Sequence, residues 1–189
     1  HMDFTADMRP TYPKLDAMLM IDSVNLQNLN LMEDDFRYHG KIVANFETAD
    51  PDFLNGSLDI VNSAIAYNAD RYTLDSISLR ASADTSRNVL LLRSGFLRAH
   101  MVGKYQLTAL APAIQDIIEV YYNPNNTTKD TISYEPQQFE FSATLNNSRF
   151  IREFLPDLEE MRDITLDGTF NSATLSVMAK LLAPKIVYG

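Results

Sequence analysis

The chain has no cysteine, no tryptophan and only six glycines in 189 residues. Without cysteine there is no disulfide, no thiolate metal site and no cysteine nucleophile. Histidine is nearly as scarce. Apart from His1 there are only His39 and His100, which do not form a metal-ligand spacing and read as exposed side chains beside strands. No apolar run approaches the roughly 18 residues of a membrane span; Val89-Leu90-Leu91-Leu92 shows the scale of those present. Positive charge is in deficit, with 16 Lys and Arg against 25 Asp and Glu, a net charge of −9. Such acidity disfavours nucleic acid as a partner and favours solubility. No nucleophile elbow, phosphate-binding loop or dinucleotide fingerprint occurs. Neither an enzyme nor a bound cofactor or metal is expected.

The few glycines are arranged. Four of them sit between alternating apolar residues, in Tyr38-His39-Gly40-Lys41-Ile42, Leu54-Asn55-Gly56-Ser57-Leu58, Met101-Val102-Gly103-Lys104-Tyr105 and Leu166-Asp167-Gly168-Thr169-Phe170. Period-two alternation marks a half-buried strand, so each Gly falls on the apolar side. Glycine inside a strand signals a bend, a bulge or a close approach. Recurrence in one register predicts strands that curl, with glycines on the concave side leaving room there.

Hydrophobic residues make up 46% and charged residues 22% of the chain, an ordinary globular composition in a chain long enough for a sizeable core. His1-Met2 reads as a cloning remnant, and residues 3–189 as one β-rich domain. Residues up to 20 read as a loop, with Pro10 and Pro13, leading into a short helix or strand. From there alternation predicts strands, at Val24 and Leu26, Leu29 and Leu31, Phe36 to Phe46, Leu58 and Ile60, and Ile65 and Tyr67. Asp50-Pro51-Asp52 signals a turn. Between Tyr72-Leu74 and Ile77-Ala81 the register slips at Asp75-Ser76, which predicts a bulge or turn. A loop at 84–88 precedes strands to about 107, and 139–145 and 164–170 alternate cleanly. The final residues, 186–189, read as a strand cut short.

Two segments carry helical spacing. In 107–122, Leu110, Ile114, Ile117, Ile118 and Tyr121 form an amphipathic stripe, ended by Asn123-Pro124-Asn125-Asn126. In 148–161 the stripe is Ile151, Phe154, Leu155 and Leu158, with Ser148 as N-cap and Pro156 weakening or dividing the helix. The carboxylates at Glu33-Asp34-Asp35 and at Asp157, Glu159 and Glu160 read as solvated strand starts and a helix face. Three N-x-S/T triplets, at Asn55, Asn125 and Asn146, are unsurprising in an Asn-rich chain.

Tyr72-Thr73-Leu74-Asp75-Ser76-Ile77-Ser78-Leu79-Arg80-Ala81 resembles a strand pair that recurs in the TamB-like translocation and assembly proteins of Gram-negative bacteria, relatives of the AsmA-type envelope proteins. Leu92-Arg93-Ser94-Gly95-Phe96, Met101 to Tyr105 and the helix ending at Tyr121-Tyr122-Asn123 are similar to the Bacteroidetes version. Phe150 to Phe170 resembles another piece of the same repeat, and the likeness runs from about Leu31 onward.

The resemblance implies a mainly β fold: an antiparallel sheet curled into an open, taco-like hydrophobic groove with two or three short amphipathic helices. It implies a segment of a longer, repeat-built periplasmic protein anchored in the inner membrane. That protein would carry phospholipid toward the outer membrane, assist outer-membrane protein assembly and secretion, or both. Phospholipid acyl chains, an outer-membrane assembly protein and adjoining repeats of the same chain would be its partners. Expected groove-lining residues are Phe36, Tyr38, Ile42, Phe46, Leu58, Ile60, Met101, Tyr105, Phe139, Phe141, Leu166 and Phe170. Two other readings stay open, a structural or protein-interaction module of the envelope and a closed β carrier for one hydrophobic ligand. Exposed sheet edges would also allow an isolated fragment to dimerise edge to edge.

Overall fold

The computed structural model describes the chain except residues 9–12, 29, 31–32, 34, 68–69, 75, 123–133 and 156. The expectations placed on Pro10, Leu29, Leu31, Asp34, Asp75, Asn123 to Asn126 and Pro156 lie outside the described residues. Thirteen strands are described. β1 (Met2–Asp7), β2 (Lys14–Asn25), β3 (Phe36–Thr48) and β4 (Asn55–Tyr67) come first, then β5 (Asp70–Leu74), β6 (Ile77–Ala83), β7 (Asn88–Arg93) and β8 (Leu97–Lys104). After α1 (Leu110–Tyr122) follow β9 (Gln138–Leu145), α2 (Arg149–Phe154), β10 (Leu158–Met161), β11 (Ile164–Asn171), β12 (Ser176–Leu182) and β13 (Ile186–Tyr188).

Eleven strands form one sheet in the order β1-β2-β3-β4-β6-β7-β8-β9-β11-β12, with β5 beside the far half of β4, while β10 and β13 pair separately. Every neighbouring pair is antiparallel. β1 and β12 do not pair, so the sheet is not closed into a barrel.

Register gives the sheet its character. Residues directly opposite each other share a face, so one row can be followed across ten strands. It runs Phe4, Ala17, Ala44, Leu58, Leu79, Leu92, Ala99, Ala143, Leu166, Leu181. A neighbouring row joins Ala81, Leu90, Met101, Phe141, Gly168 and Ala179. The opposite face carries Arg80, Leu91, His100, Ser142, Asp167 and Lys180 in a single cross-strand row, with a bidentate Arg80–Asp59 pair at 2.9 and 3.0 Å.

All four patterned glycines lie on the apolar face, but they do not leave room there. Each holds an aromatic side chain. Gly56 lies opposite Phe46, Gly103 opposite Phe139 and Gly168 opposite Phe141, and Tyr38 closes over Gly40 while its hydroxyl meets Ser63 Oγ at 2.9 Å. A Cβ at Gly56 would stand 2.6 Å from the Phe46 Cα, and one at Gly103 2.5 Å from the Phe139 Cα. Both also have φ near +150° (146° and 148°), a region open essentially to glycine alone.

Several elements differ from the sequence reading. Residues 1–20 contain β1 and the start of a 12-residue β2, because pairing with β3 overrides weak local signals. β4 pairs with β5 up to Leu74 and with β6 from Ile77, and β3 and β4 shift register nearby, with Asn62 at φ 52°. The second helix is short. Ser148 caps it as expected, its Oγ accepting from Ile151 N at 3.3 Å, but it stops at Phe154 and 158–161 form β10 against β13. The helix-face reading of Asp157, Glu159 and Glu160 is therefore corrected. Glu160 pairs with Lys185, and Asp157 accepts from the Tyr188 hydroxyl at 3.2 Å. β12 was not anticipated: its Leu181-Leu182 doublet and Met178 put apolar residues on both faces and break the alternation.

Gly56→Ala and Gly103→Ala are expected to lower stability by ~1–3 kcal/mol each, read as a fall in the urea midpoint at unchanged slope. Near-neutral effects would mean that these glycines are spacers rather than seats for Phe46 and Phe139.

Candidate functional site

Helix α1 lies on the apolar face at the end of the sheet where β8 stops. The 3-10 turn Leu107–Ala109 that leads into it is fixed from the β3–β4 connection. Asp52, in a 3-10 turn at Pro51–Phe53, accepts from Thr108 N at 2.9 Å and from Thr108 Oγ1 at 2.6 Å. This supplies from elsewhere in the chain the cap that a helix start needs. The return from helix to β9 is pinned by Gln137, which is 1% exposed. Its Oε1 accepts from Gln106 N at 2.5 Å, and its own N–H donates to Ser172 Oγ at 2.8 Å. Nearer the middle of α1, the Tyr134 hydroxyl donates to Asp116.

These anchors press one helical stripe onto the sheet. Ala113 and Ile117 are buried with Tyr105, Phe139 and Phe170, with Leu107, Leu110 and Met101 packed around them. Phe139 stacks on Phe170, centroids 4.9 Å apart and planes 17° apart, and meets Tyr105 edge-on at 5.8 Å. Ile114 and Ile118 lie one step further round the helix, 44% and 51% exposed. They overhang the sheet rather than touch its centre.

Under this overhang lies an open cleft of about 750 Å³. Leu110, Ile114, Ile117 and Ile118 line it from α1, and Met101, Phe139, Phe141, Phe170 and Val177 from β8, β9, β11 and β12. No lining side chain carries a charge or a hydrogen-bonding group. The size falls in the range of clefts that hold small ligands, ~300–1,000 Å³, but the polar groups that orient most ligands are missing. Such a surface can hold an apolar chain and offers nothing for acid–base or nucleophilic chemistry. On the polar face a depression of about 510 Å³ includes His100, Glu140, Asp167 and Lys180. Among the described residues no three His, Cys, Asp or Glu side chains are grouped so as to hold a metal ion, and no helix is long and apolar enough to cross a membrane.

All twelve expected lining residues are buried or half-buried, and the eleven within strands fall on the apolar face by register. The structure brings only four of them into the cleft, Met101, Phe139, Phe141 and Phe170. Tyr105 is core beneath α1. Phe36, Tyr38, Ile42, Phe46, Leu58 and Ile60 occupy β3 and β4, away from α1, and Leu166 lies nearer the α2 end. There a second aromatic string, Phe96–Phe150–Phe154–Tyr72, docks α2, with centroids 4.9 to 5.9 Å apart. The helical wall of the cleft was missed as a site. Its signal was a stripe too wide for one buried face, with Ile114 and Ile118 beside Ile117. The side chains of Tyr121, placed in the amphipathic stripe, and of Tyr122 lie outside the described residues.

No family model, curated protein or solved structure matches this chain.

Desolvation raises the Tyr105 phenol from its ordinary value near 10 to about 12. Burial, and then the bond to Asp116, does the same for Tyr134. Both groups are neutral in the fold longer than in the unfolded chain. Their contribution is thus fully present below pH 10 and is lost as pH rises toward 12. Urea midpoints should fall across that window together with phenolate absorbance, and Tyr134→Phe should flatten the fall. A flat profile from pH 9 to 12 would remove these tyrosines from the anchoring of α1.

Proposed function

We propose that this chain is a non-enzymatic segment of an envelope protein whose apolar face holds phospholipid acyl chains. The observation that carries the reading is the cleft under α1, with nine apolar side chains and no polar one, opening onto a sheet face that stays apolar across ten strands. Each methylene taken from water into such a surface gains ~0.8 kcal/mol, so a tail is retained without any directional contact. Neighbouring positions along the face have similar energies, so the tail can shift along it. The resemblance to TamB-like proteins supplies the setting: a periplasmic position, an inner-membrane anchor elsewhere in the protein, and phospholipid traffic or outer-membrane protein assembly as the task. The closed-carrier alternative loses ground because β1 and β12 do not pair.

Photo-crosslinking residues at Ile114, Met101 and Ile42 should label phospholipid acyl chains in cells, and those at Glu140 and Thr169 on the polar face should not. Labelling confined to the polar-face positions would sink the reading. In vitro, Ile118→Asp places a charge at the cleft mouth and should weaken binding of a long-chain fatty acid about tenfold, ~1.4 kcal/mol. Because Ile118 is half exposed, the unfolding free energy from urea titration should stay within ~0.5 kcal/mol of the parent.

A further inference from the structure

We infer that the two open edges of the sheet are complementary to each other, so that β12 of one copy of this chain pairs with β1 of the next, head to tail. Among the described residues β1 pairs only with β2 and β12 only with β11. The path from β1 to β12 has ten strands, all antiparallel to their neighbours, so the first and last run in opposite directions. A second copy shifted within the sheet plane, without rotation, therefore presents its β1 antiparallel to β12, with its apolar face on the same side.

The backbone groups on the two edges match as well. His1 and Met20 exchange both main-chain bonds. By alternation the N–H and C=O groups of Asp3, Thr5 and Asp7 turn toward β2, and those of Met2, Phe4 and Ala6 face outward. At the other edge Ser172 N donates to Gln137 O, so Ser172 and Phe170 turn toward β9, and Thr169 and Asp167 toward β12. Their partners Met178 and Lys180 then face inward, leaving the groups of Val177, Ala179 and Leu181 outward. The register that overlaps the whole of β1 sets Leu181 opposite Met2, Ala179 opposite Phe4 and Val177 opposite Ala6. It joins the outward-facing backbone groups and continues the apolar face in one step.

Charge favours this pairing, the one that sets an opposite-charge pair of strand residues face to face. In the same register Lys180 stands opposite Asp3 on the polar face. Among the described residues Asp3 meets the exposed His1 ring, at 2.7 Å. A two-fold β1–β1 pairing sets Asp3 against Asp7, like charges directly opposed, when centred on Thr5, and against the uncharged Thr5 when centred on Phe4. A two-fold β12–β12 pairing sets Lys180 against Met178 or against Lys180. Edge strands usually carry charges that block such addition. β12 has a single charge, and all seven of its residues are exposed, Met178 and Leu181 by 70% and 67%.

The test uses the full 189-residue chain and two proline variants, each removing an outward N–H that no bond within the chain uses. Ala6→Pro blocks the β1 edge and Ala179→Pro the β12 edge, with circular dichroism confirming the fold. Sedimentation velocity should show concentration-dependent dimers and longer species for the parent, as expected of a contact that does not close on itself. Each variant alone should be monomeric, and an equimolar mixture of the two should give a dimer and nothing larger. Charge reversal gives an independent reading: Lys180→Glu should weaken parent association by roughly tenfold, and adding Asp3→Lys should restore it. A parent that stays monomeric, a singly blocked variant that dimerises with itself, or a mixture that stays monomeric would each overturn the inference.

Discussion

Cross-strand register is the constraint on which this molecule depends. A strand presents alternate residues to alternate faces, so a slip of one position at any ladder would carry all later apolar side chains to the wet side. Along the main path the slips that occur are absorbed by local bulges, and the two between β3 and β4 offset each other. β2 and β3 shift between Ile21 and Val24, and β3 and β4 shift near Gly40 and again near Phe46, yet the apolar row continues beyond each. The aromatic residues seated on glycine help to fix that register. Phe46 fits opposite Gly56 and Phe139 opposite Gly103 because no Cβ fills the space, and a displaced strand would set those rings against side chains instead.

One face of a single sheet is too large for two short helices to cover. α1 and α2 each cap an end, and the buried residues gather where α1 is pressed down, around Phe139 and Phe170. Elsewhere, a patch of β3 around Ala44 and Phe46 apart, the face is half-buried or exposed. The cleft lies at the boundary of these regimes, where α1 lifts away at Ile114 and Ile118. The site is thus the unfinished margin of the core, which accounts for its purely apolar lining.

Much of this architecture was legible in the sequence because period-two alternation reports directly on which face a residue occupies. The strands through Phe36–Phe46, Phe139–Leu145 and Ile164–Phe170 read cleanly for that reason, as did the helix carrying Ile117. What escaped depended on partners. β12 lacks alternation because it sits at an edge with apolar residues on both faces. Leu158–Met161 shares its apolar spacing with a helix, and only pairing with β13 decides the matter. Gly56 and Gly103 could be placed on the apolar side, but the sequence did not contain the identity of the ring lying over each. The cleft needed both walls, and α1 is held to the sheet by Asp52, legible only as part of a turn, and by Gln137 and Tyr134, which did not stand out locally.

The Asp52–Thr108 contact bears on the order in which the molecule assembles. Its partners are 56 residues apart, whereas most ladders of the sheet join strands that follow one another directly and close short loops early. By that measure the cap on the turn entering α1 closes after the local hairpins on its N-terminal side. The strands that supply Phe139 and Phe170 beneath the helix come after it in the chain. The helix is therefore clasped from upstream and bedded from downstream, and works as a keystone between an earlier and a later part of one sheet.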